Sequence, residues 1–294
     1  MTDDLDLRLV RYFTVVADHE HFGRAAVALH IAQPSLSRQI RRLEDCVGAR
    51  LLDRTPQGTR LTEAGRVFLP RAKALLREAS QAAAQTRAVA EPMVVTFGFT
   101  AGISITSAVR AVRRRHPGAE VRTSYLNWDE PRDALLEHRV DAVVARLPFA
   151  TDLLHVTVLY DEPRVLLVPV DHRLAGKESV TLDDIADEPI PRHHDREWDA
   201  FWRIDPRPDG RRAPDGPLVD SIEEKLELVA GGQVVGILPA GAAATYVRPD
   251  LTTVALLDVE PSHVVLATRA DDRNGLVTAF RNAARTHLTR PELP

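Results

Sequence analysis

The segment from Ile31 to Arg54, IAQPSLSRQIRRLEDCVGARLLDR, narrows the folds open to this chain more than any other. Leu36, Ile40, Leu43 and Val47 recur at spacings of four, three and four. At about 100° per residue these four fall in a narrow wedge, which predicts a helix with one buried side. Gln33 is expected to cap its start, and Pro34 has the fixed φ that suits the first helical position. Arg38 and Arg41 project from the far side with Arg42 beside them, a basic face suited to the phosphates and base edges of a duplex. An ordinary amphipathic helix with solvated arginines would carry the same pattern, so the flanking sequence decides.

Upstream, Leu9, Phe13 and Val16 share one side of a first helix, with Tyr12 adjoining. GRAAVALH reads as a short second helix whose paired alanines permit close packing. Three helices with a tight link through His30 and Ile31 have helix-turn-helix spacing. Gly48 is placed to end the third helix. LLDRTPQGTRLT then reads as two short extended runs about a turn, a β-wing with Arg54 and Arg60 at its edges. A wing arginine can reach a narrow minor groove, where negative potential is focused.

Ala25-Ala26, QPSLSRQIRRLE, Gly48 with Arg50-Leu51-Leu52, Arg54 and LTEAG follow one another in an order that resembles the N-terminal domain of LysR-type transcriptional regulators. The resemblance implies a winged helix-turn-helix whose third helix enters the major groove. It places Gln33, Pro34, Ser35, Ser37, Arg38 and Arg41 near DNA, and brings Arg54 to the minor groove from the wing, with Arg60 at the other edge. Two residues depart from the pattern. Gln57 stands in the turn where many members carry arginine, and Gly23 stands where threonine or serine is common. Losing a wing arginine bears on affinity more than on base choice.

From Thr62, a plausible N-cap, a long helix is expected to reach about Ala90 and stop at Glu91-Pro92. Phe68, Ala72, Leu75, Ala79, Ala82, Thr86 and Val89 alternate by four and three, an a/d seam. A seam so poor in large side chains buries little on its own chain, which suits a helix pairing with its copy; a long helix lying on the body is the alternative. A reader of two half-sites requires the pair, and the family's linker helix occupies this place. Pro70 would kink the helix or delay its start.

The remaining chain reads as a body of alternating strands and helices. MVVTFGF, EVRTSYL and VDAVVARL are strands, separated by a helix ending at Pro117-Gly118 and by DEPRDALLEHR. That order predicts a doubly wound α/β unit with a parallel sheet. RVLLVPV opens a second such unit, continuing through DDIADEPIP, a helix around Trp198 to Trp202, IEEKLELVAGG and the strand QVVGILP. HVVLATR and LVTAFRNAARTHL close the chain. Two α/β lobes resemble the effector domain of the same regulators, which shares its fold with periplasmic solute-binding proteins. The expected divisions are a head at 1–61, a linker and dimerisation helix at 62–91, and an effector-binding body at 92–294. Within the body, about 93–163 and 266–290 would form one lobe and about 164–265 the other.

Composition excludes several classes. The 44% hydrophobic content is that of a globular protein, and no run of eighteen apolar residues appears. The acidic start MTDDLDLRLV is no secretory signal, so a cytoplasmic location without membrane contact is expected. A single cysteine, Cys46, excludes an internal disulfide and a multi-thiolate metal site, and beside the buried stripe it reads as a small packing residue. The net charge of −4 divides unevenly: residues 1–90 hold 14 basic and 10 acidic side chains, and the rest is acidic. A basic head on an acidic body fits a localised nucleic-acid footprint.

Ligands in such sheets bind beyond the carboxyl ends of strands, between lobes. That singles out Thr100, Ala101, Ile103, Asn127, Trp128 and Arg146, with Pro191, Arg192 and His193 entering from the other lobe. Amide groups near Thr100 with Arg146 could hold a carboxylate; a surface ion pair is the other reading of Arg146. Trp128 would wall the pocket or simply pack, and Trp198 and Trp202, four apart on one helix face, read as core. His193-His194-Asp195 is too sparse to chelate a metal. With no nucleophile–base set and no phosphate loop, neither an enzyme nor a cofactor is expected beyond a small-molecule effector.

The sequence therefore predicts an effector-controlled LysR-type regulator, a homodimer or homotetramer on double-stranded operator DNA, with RNA polymerase as a further partner. An effector-independent DNA-binding regulator would share the head but have a filled cleft. A cytoplasmic solute-binding protein would lack salt-dependent DNA affinity.

Overall fold

The computed structural model describes residues 5–55, 58–90, 93–246 and 248–289. The wing tip at Pro56-Gln57 and the stop at Glu91-Pro92 lie outside these residues, as do the side chains of Arg54 and Val89. The chain divides into two compact units, Met1–Ala90 and Glu91–Pro294.

In the first unit, α1 (Leu7–His19), α2 (Phe22–Ala28) and α3 (Gln33–Val47) precede the wing strands β1 (Leu52–Thr55) and β2 (Gly58–Leu61), and α4 (Glu63–Ala90) follows. The period-3.6 apolar positions meet in one core of Leu9, Phe13, Val16, Phe22, Ala25, Leu36, Ile40 and Leu43. Gln33 does not cap α3. It is the first helical residue, and Ala32, in extended backbone, precedes it without a side-chain cap. The backbone closes the turn instead, Ser35 N–H and Leu36 N–H donating to the Ala32 carbonyl at 2.9 and 3.1 Å. Gly48 ends the helix at φ +74°, a left-handed conformation that glycine adopts without strain.

Thr62 does cap α4, its Oγ1 accepting from Gly65 N–H at 2.9 Å. The helix runs through Pro70 as 28 residues, about 42 Å at 1.5 Å per residue. Its seam needs correction, because the first half already has a partner on its own chain. Phe68 packs on Phe13 with ring centroids 5.3 Å apart, and Ala72 and Leu76 are buried in the head core. Leu75, expected on that seam, is instead 41% exposed, and Val67 is exposed as well.

The second unit has two lobes. The first contains β3 (Val94–Thr100), α5 (Thr106–Arg115), β4 (Glu120–Leu126), α6 (Pro131–Leu136), β5 (Ala142–Arg146) and β6 (Leu154–Glu162). The chain crosses into the second lobe through β7 (Arg164–Pro169), β8 (Ser179–Val180), β9 (Ile190–Arg192), α7 (Arg196–Arg203), β10 (Asp215–Leu218), α8 (Ile222–Ala230), β11 (Gly236–Pro239), α9 (Ala240–Thr245) and β12 (Leu251–Leu256). It returns with β13 (Ser262–Arg269) and ends in α10 (Gly275–His287).

The first sheet has the order β4-β3-β5-β13-β6. β3 runs parallel to β4 and β5, as expected, but β13 is antiparallel to both β5 and β6. The second sheet, β11-β7-β12-β8, departs further from the parallel expectation, because β7 is flanked by antiparallel neighbours on both sides. The cause is connectivity: β6 to β7 and β12 to β13 are direct crossings between lobes, not helical crossovers that would preserve direction. Pairing of Ser262 with Glu162 also moves the return to the first lobe from 266 back to 262.

Each sheet is covered on both faces. Phe97 and Phe280 stack at 3.8 Å beneath α5 and α10, and α6 closes the opposite face. In the second lobe Trp202 of α7 packs on Leu166, Ile237 and Val254, while Leu226 and Val229 of α8 pack on Leu167 and Leu238.

Candidate functional site

On the head, α3 buries Leu36, Ile40 and Leu43 and leaves Gln33, Pro34, Arg38, Arg41 and Arg42 exposed, with Ser35 and Ser37 half-buried at the margins. Neither Arg38 nor Arg41 makes an ion pair with a described residue, so both guanidinium groups remain available to phosphates. Arg60 is exposed on β2, directly opposite Asp53 of β1, and Arg54 lies opposite Thr59. The wing is held at several points. Thr59 N–H donates to the Glu20 carbonyl at 2.8 Å. Glu44 Oε1 accepts from Leu51 and Leu52 N–H at 2.8 and 3.1 Å, tying the end of α3 to the start of β1. Gly23 has a local explanation. His21 Nδ1 caps α2 by accepting from Gly23 N–H at 3.0 Å, and a Cβ at Gly23 would crowd that imidazole ring at 3.0–3.2 Å.

In the body, Thr100, Ala101, Trp128, Arg146 and His193 meet around a cavity of about 60 Å³ between the lobes. Four expected residues lie elsewhere. Ile103 lines a neighbouring cavity with Phe99, Tyr125, Tyr160 and Tyr246, which Thr100 and Ala101 also border. Asn127 is exposed, its N–H donating to Glu130 Oε2 at 2.8 Å. Pro191 is buried within β9, and exposed Arg192 donates to the Gly216 carbonyl at 3.1 Å. Pro191 and Arg192 miss because β9 pairs with β10, where Arg192 is held by the Gly216 carbonyl.

Arg146 is neither a free anion binder nor a surface pair. It is 4% exposed and grips Glu162, itself 2% exposed, through Nε at 2.7 Å and a second nitrogen at 3.3 Å. Its third nitrogen donates to the Ala101 carbonyl at 2.6 Å. Glu162 also accepts from Gly241 N–H of α9 at 2.7 Å, so an internal carboxylate joins the two lobes at this point. A Cβ on Gly241 would overlap that carboxylate, which explains the glycine.

Trp198 and Trp202 do belong to the second-lobe core, and both also line the cavity. Trp128 comes from the first lobe and stacks on Trp198 at 6.2 Å between centroids, an aromatic contact across the cleft. Its edge meets His193 at 5.5 Å. His193 is buried, and burial, aided by the positive charge of Lys225, pushes its pKa down to about 4, leaving the ring neutral at pH 7. Its backbone N–H donates to Asp199 Oδ1 at 2.7 Å. His194 points to Asp220 instead, so the two histidines diverge.

Of the wall residues that sequence reasoning missed, among them Ser221, Ile222 and Leu238, Lys225 is the charged one. It lines the cavity while being 5% exposed, and burial pushes its pKa down to about 8. One signal existed: Ile222, Lys225, Leu226 and Val229 follow the i, i+3, i+4, i+7 stripe of an apolar face, with lysine in the second place.

The comparisons with known proteins agree with this architecture. The model for the bacterial regulatory helix-turn-helix protein, lysR family, matches residues 7–66, and the LysR substrate binding domain matches 91–289. The regulator AlsR of Bacillus subtilis is 30% identical, with 97% of each chain covered. CatR of Pseudomonas putida is 30% identical over 93% of this chain and 96% of its own. The crystal structure of a full-length point mutant of BenM superposes with a TM-score of 0.57 at 26% identity, covering 96% of this chain and 95% of that one. The chain belongs to the LysR family of helix-turn-helix transcriptional regulators. It is a DNA-binding regulator with an effector-binding domain, and no described helix is long and apolar enough to cross a membrane.

Proposed function

We propose that the chain reads a two-part operator as a dimer in the cytoplasm, and that a small molecule in the inter-lobe cavity sets its response. Gln33, Pro34, Ser35, Ser37, Arg38 and Arg41 enter the major groove, and Arg54 and Arg60 approach the backbone and minor groove from the wing. The observation that carries the DNA reading is the pair of unengaged arginines, Arg38 and Arg41, opposite a fully buried stripe on α3. The rear half of α4 pairs with its copy. Two such dimers make the tetramer, and RNA polymerase is met at the promoter.

Control needs an effector that binds two arrangements of the chain with different affinity. Contacts that span the cleft, Trp128 on Trp198 and Glu162 on Gly241, are the ones an occupant would reset. No catalysis is assigned to the cavity, whose polar groups form no nucleophile–base pair.

A salt titration with an operator fragment tests the head. Arg38→Ala lowers affinity by about 1–3 kcal/mol if it reads a base, and reduces the salt slope by about one if it meets a phosphate. Unchanged binding in both Arg38→Ala and Arg41→Ala, with the fold retained, overturns the assignment.

A further inference from the structure

We propose that Lys225 and Trp202, and not Arg146, hold the charged end of the effector, which is a small monocarboxylate on a flat apolar body; this rests on the reading of the cleft as the effector site. Lys225 has three donors and, among the described residues, one hydrogen bond, to the Ile237 carbonyl at 3.5 Å. That is the outer limit of such a bond. Trp202 is 3% exposed, and its Nε1–H is buried without an acceptor. Both line the same cavity. Buried donors without acceptors are costly and uncommon, so one orphaned N–H beside an ammonium held by a single long bond marks the place of an acceptor-rich group.

The neighbouring carboxylates do not fill that role. Asp199 attracts the ammonium, but its oxygens already accept from His193 N–H and from Arg203. Glu162 is held by Arg146 and Gly241. A second anion at Arg146 would meet Glu162 as a like charge, whereas one at Lys225 meets a cation with no ion pair among the described residues. With His193 neutral, one unmatched positive charge faces the cavity, which favours a single negative charge in the occupant.

Thr100 and Ser221 add hydroxyls to the wall, and its large faces are apolar: Trp128, Trp198, Ile222 and Leu238. A water needs roughly 10–15 Å³ on this measure, so about 60 Å³ admits a small ring and its carboxylate and little more.

The three tryptophans of the chain, Trp128, Trp198 and Trp202, all line this cavity, so intrinsic fluorescence of the full chain reports its occupancy directly. The probes are benzoate and benzamide, matched in shape and differing in charge, with cyclohexanecarboxylate as a second acid. Benzoate is expected to give a saturable change, benzamide to bind at least about tenfold more weakly, and Lys225→Met to lose at least about tenfold for benzoate. Lys225→Met should melt no lower than the parent, because an unbranched apolar chain replaces a buried charge. Trp202→Phe, which deletes the N–H and keeps a ring, weakens benzoate several-fold and supplies an independent test.

Benzamide binding as tightly as benzoate, unchanged benzoate affinity in Lys225→Met and Trp202→Phe, or no fluorescence response to either acid overturns the proposal. Benzoate binding that requires Lys225 but leaves operator affinity unaltered sinks the effector reading of the cleft while keeping the anion site. A neutral ligand that alters operator affinity does the reverse.

Discussion

Glu162 of the first lobe bonds at once to the Arg146 guanidinium, at 2.7 Å, and to the Gly241 amide of the second lobe, also at 2.7 Å. Deleting the carboxylate would strand a buried positive charge and a buried N–H together. Glu162→Ala should therefore destabilise the body by about 3–5 kcal/mol, and Glu162→Gln by clearly less, because the amide keeps an acceptor oxygen. Urea unfolding of the full chain measures this. Equal midpoints for the parent and Glu162→Ala would show that the pair contributes nothing.

Leu75 sits on the face of α4 that the head leaves exposed, whereas Phe68, Ala72 and Leu76 face the head core. Leu75→Glu should lower the association state while preserving the head's melting transition. Sedimentation velocity gives the mass, and an unchanged oligomer at micromolar concentration would remove Leu75 from the self-association face.

His193 gives the body an acid-sensitive stability. Its folded pKa, about 4, lies below the usual 6.5, so between those values only the unfolded chain takes up the proton. Stability from this residue is complete above pH 6.5 and falls as pH drops toward 4, by on the order of 2–3 kcal/mol. Lys225, Asp199 and Arg203 face the same ring and shape the transition. His193→Gln should flatten that part of the pH profile, and an identical slope in parent and variant would refute the assignment.

Gly102 adopts φ +68°, and a Cβ there would overlap the backbone of Ala242 in α9. Gly102→Ala combines backbone strain with a clash between the lobes, and a loss of about 1–3 kcal/mol is expected. Differential scanning calorimetry tests it, with Gly176→Ala as the comparison, since Gly176 has a similar φ of +80° and open space around it. A similar loss in both would assign the cost to φ alone.

The head is legible because its signals are local. Apolar spacing names the buried side of α3, and Gly48 marks its end. The start of α3 is easily misread because Gln33 resembles a cap in sequence, while the Ala32 carbonyl closes the turn in the fold. In the body, strands with continuous apolar runs, such as β3, β5 and β7, declare themselves. β6 and β12 do not, since LHVTVLYDE is half-buried or exposed along most of its length and LTTVAL breaks its buried positions with exposed ones.

The site is less legible for a related reason. Nothing near Arg146 in sequence says that Glu162, sixteen residues on, lies beside it; only the antiparallel return of β13 between β5 and β6 does so. Lys225 escapes a sequence reading because a lone lysine in a helix usually faces water. Pro191 and Arg192 are expected at the cleft because strand ends in open sheets face ligands, but their strand ends at an edge.

Gly65 has a wider effect than its size suggests. Any Cβ there would overlap the Leu51 carbonyl, so the first turn of α4 lies directly on the chain leading into the wing. Thr62, Phe68, Ala72 and Leu76 continue that seat, which makes the reading helix, the wing and the front of the rod a single casting. In the proposed dimer the distance between two half-sites is then a dimension of the first 90 residues. Exchanging the body for a relative's should change which molecule is sensed and leave the operator's internal spacing as it was.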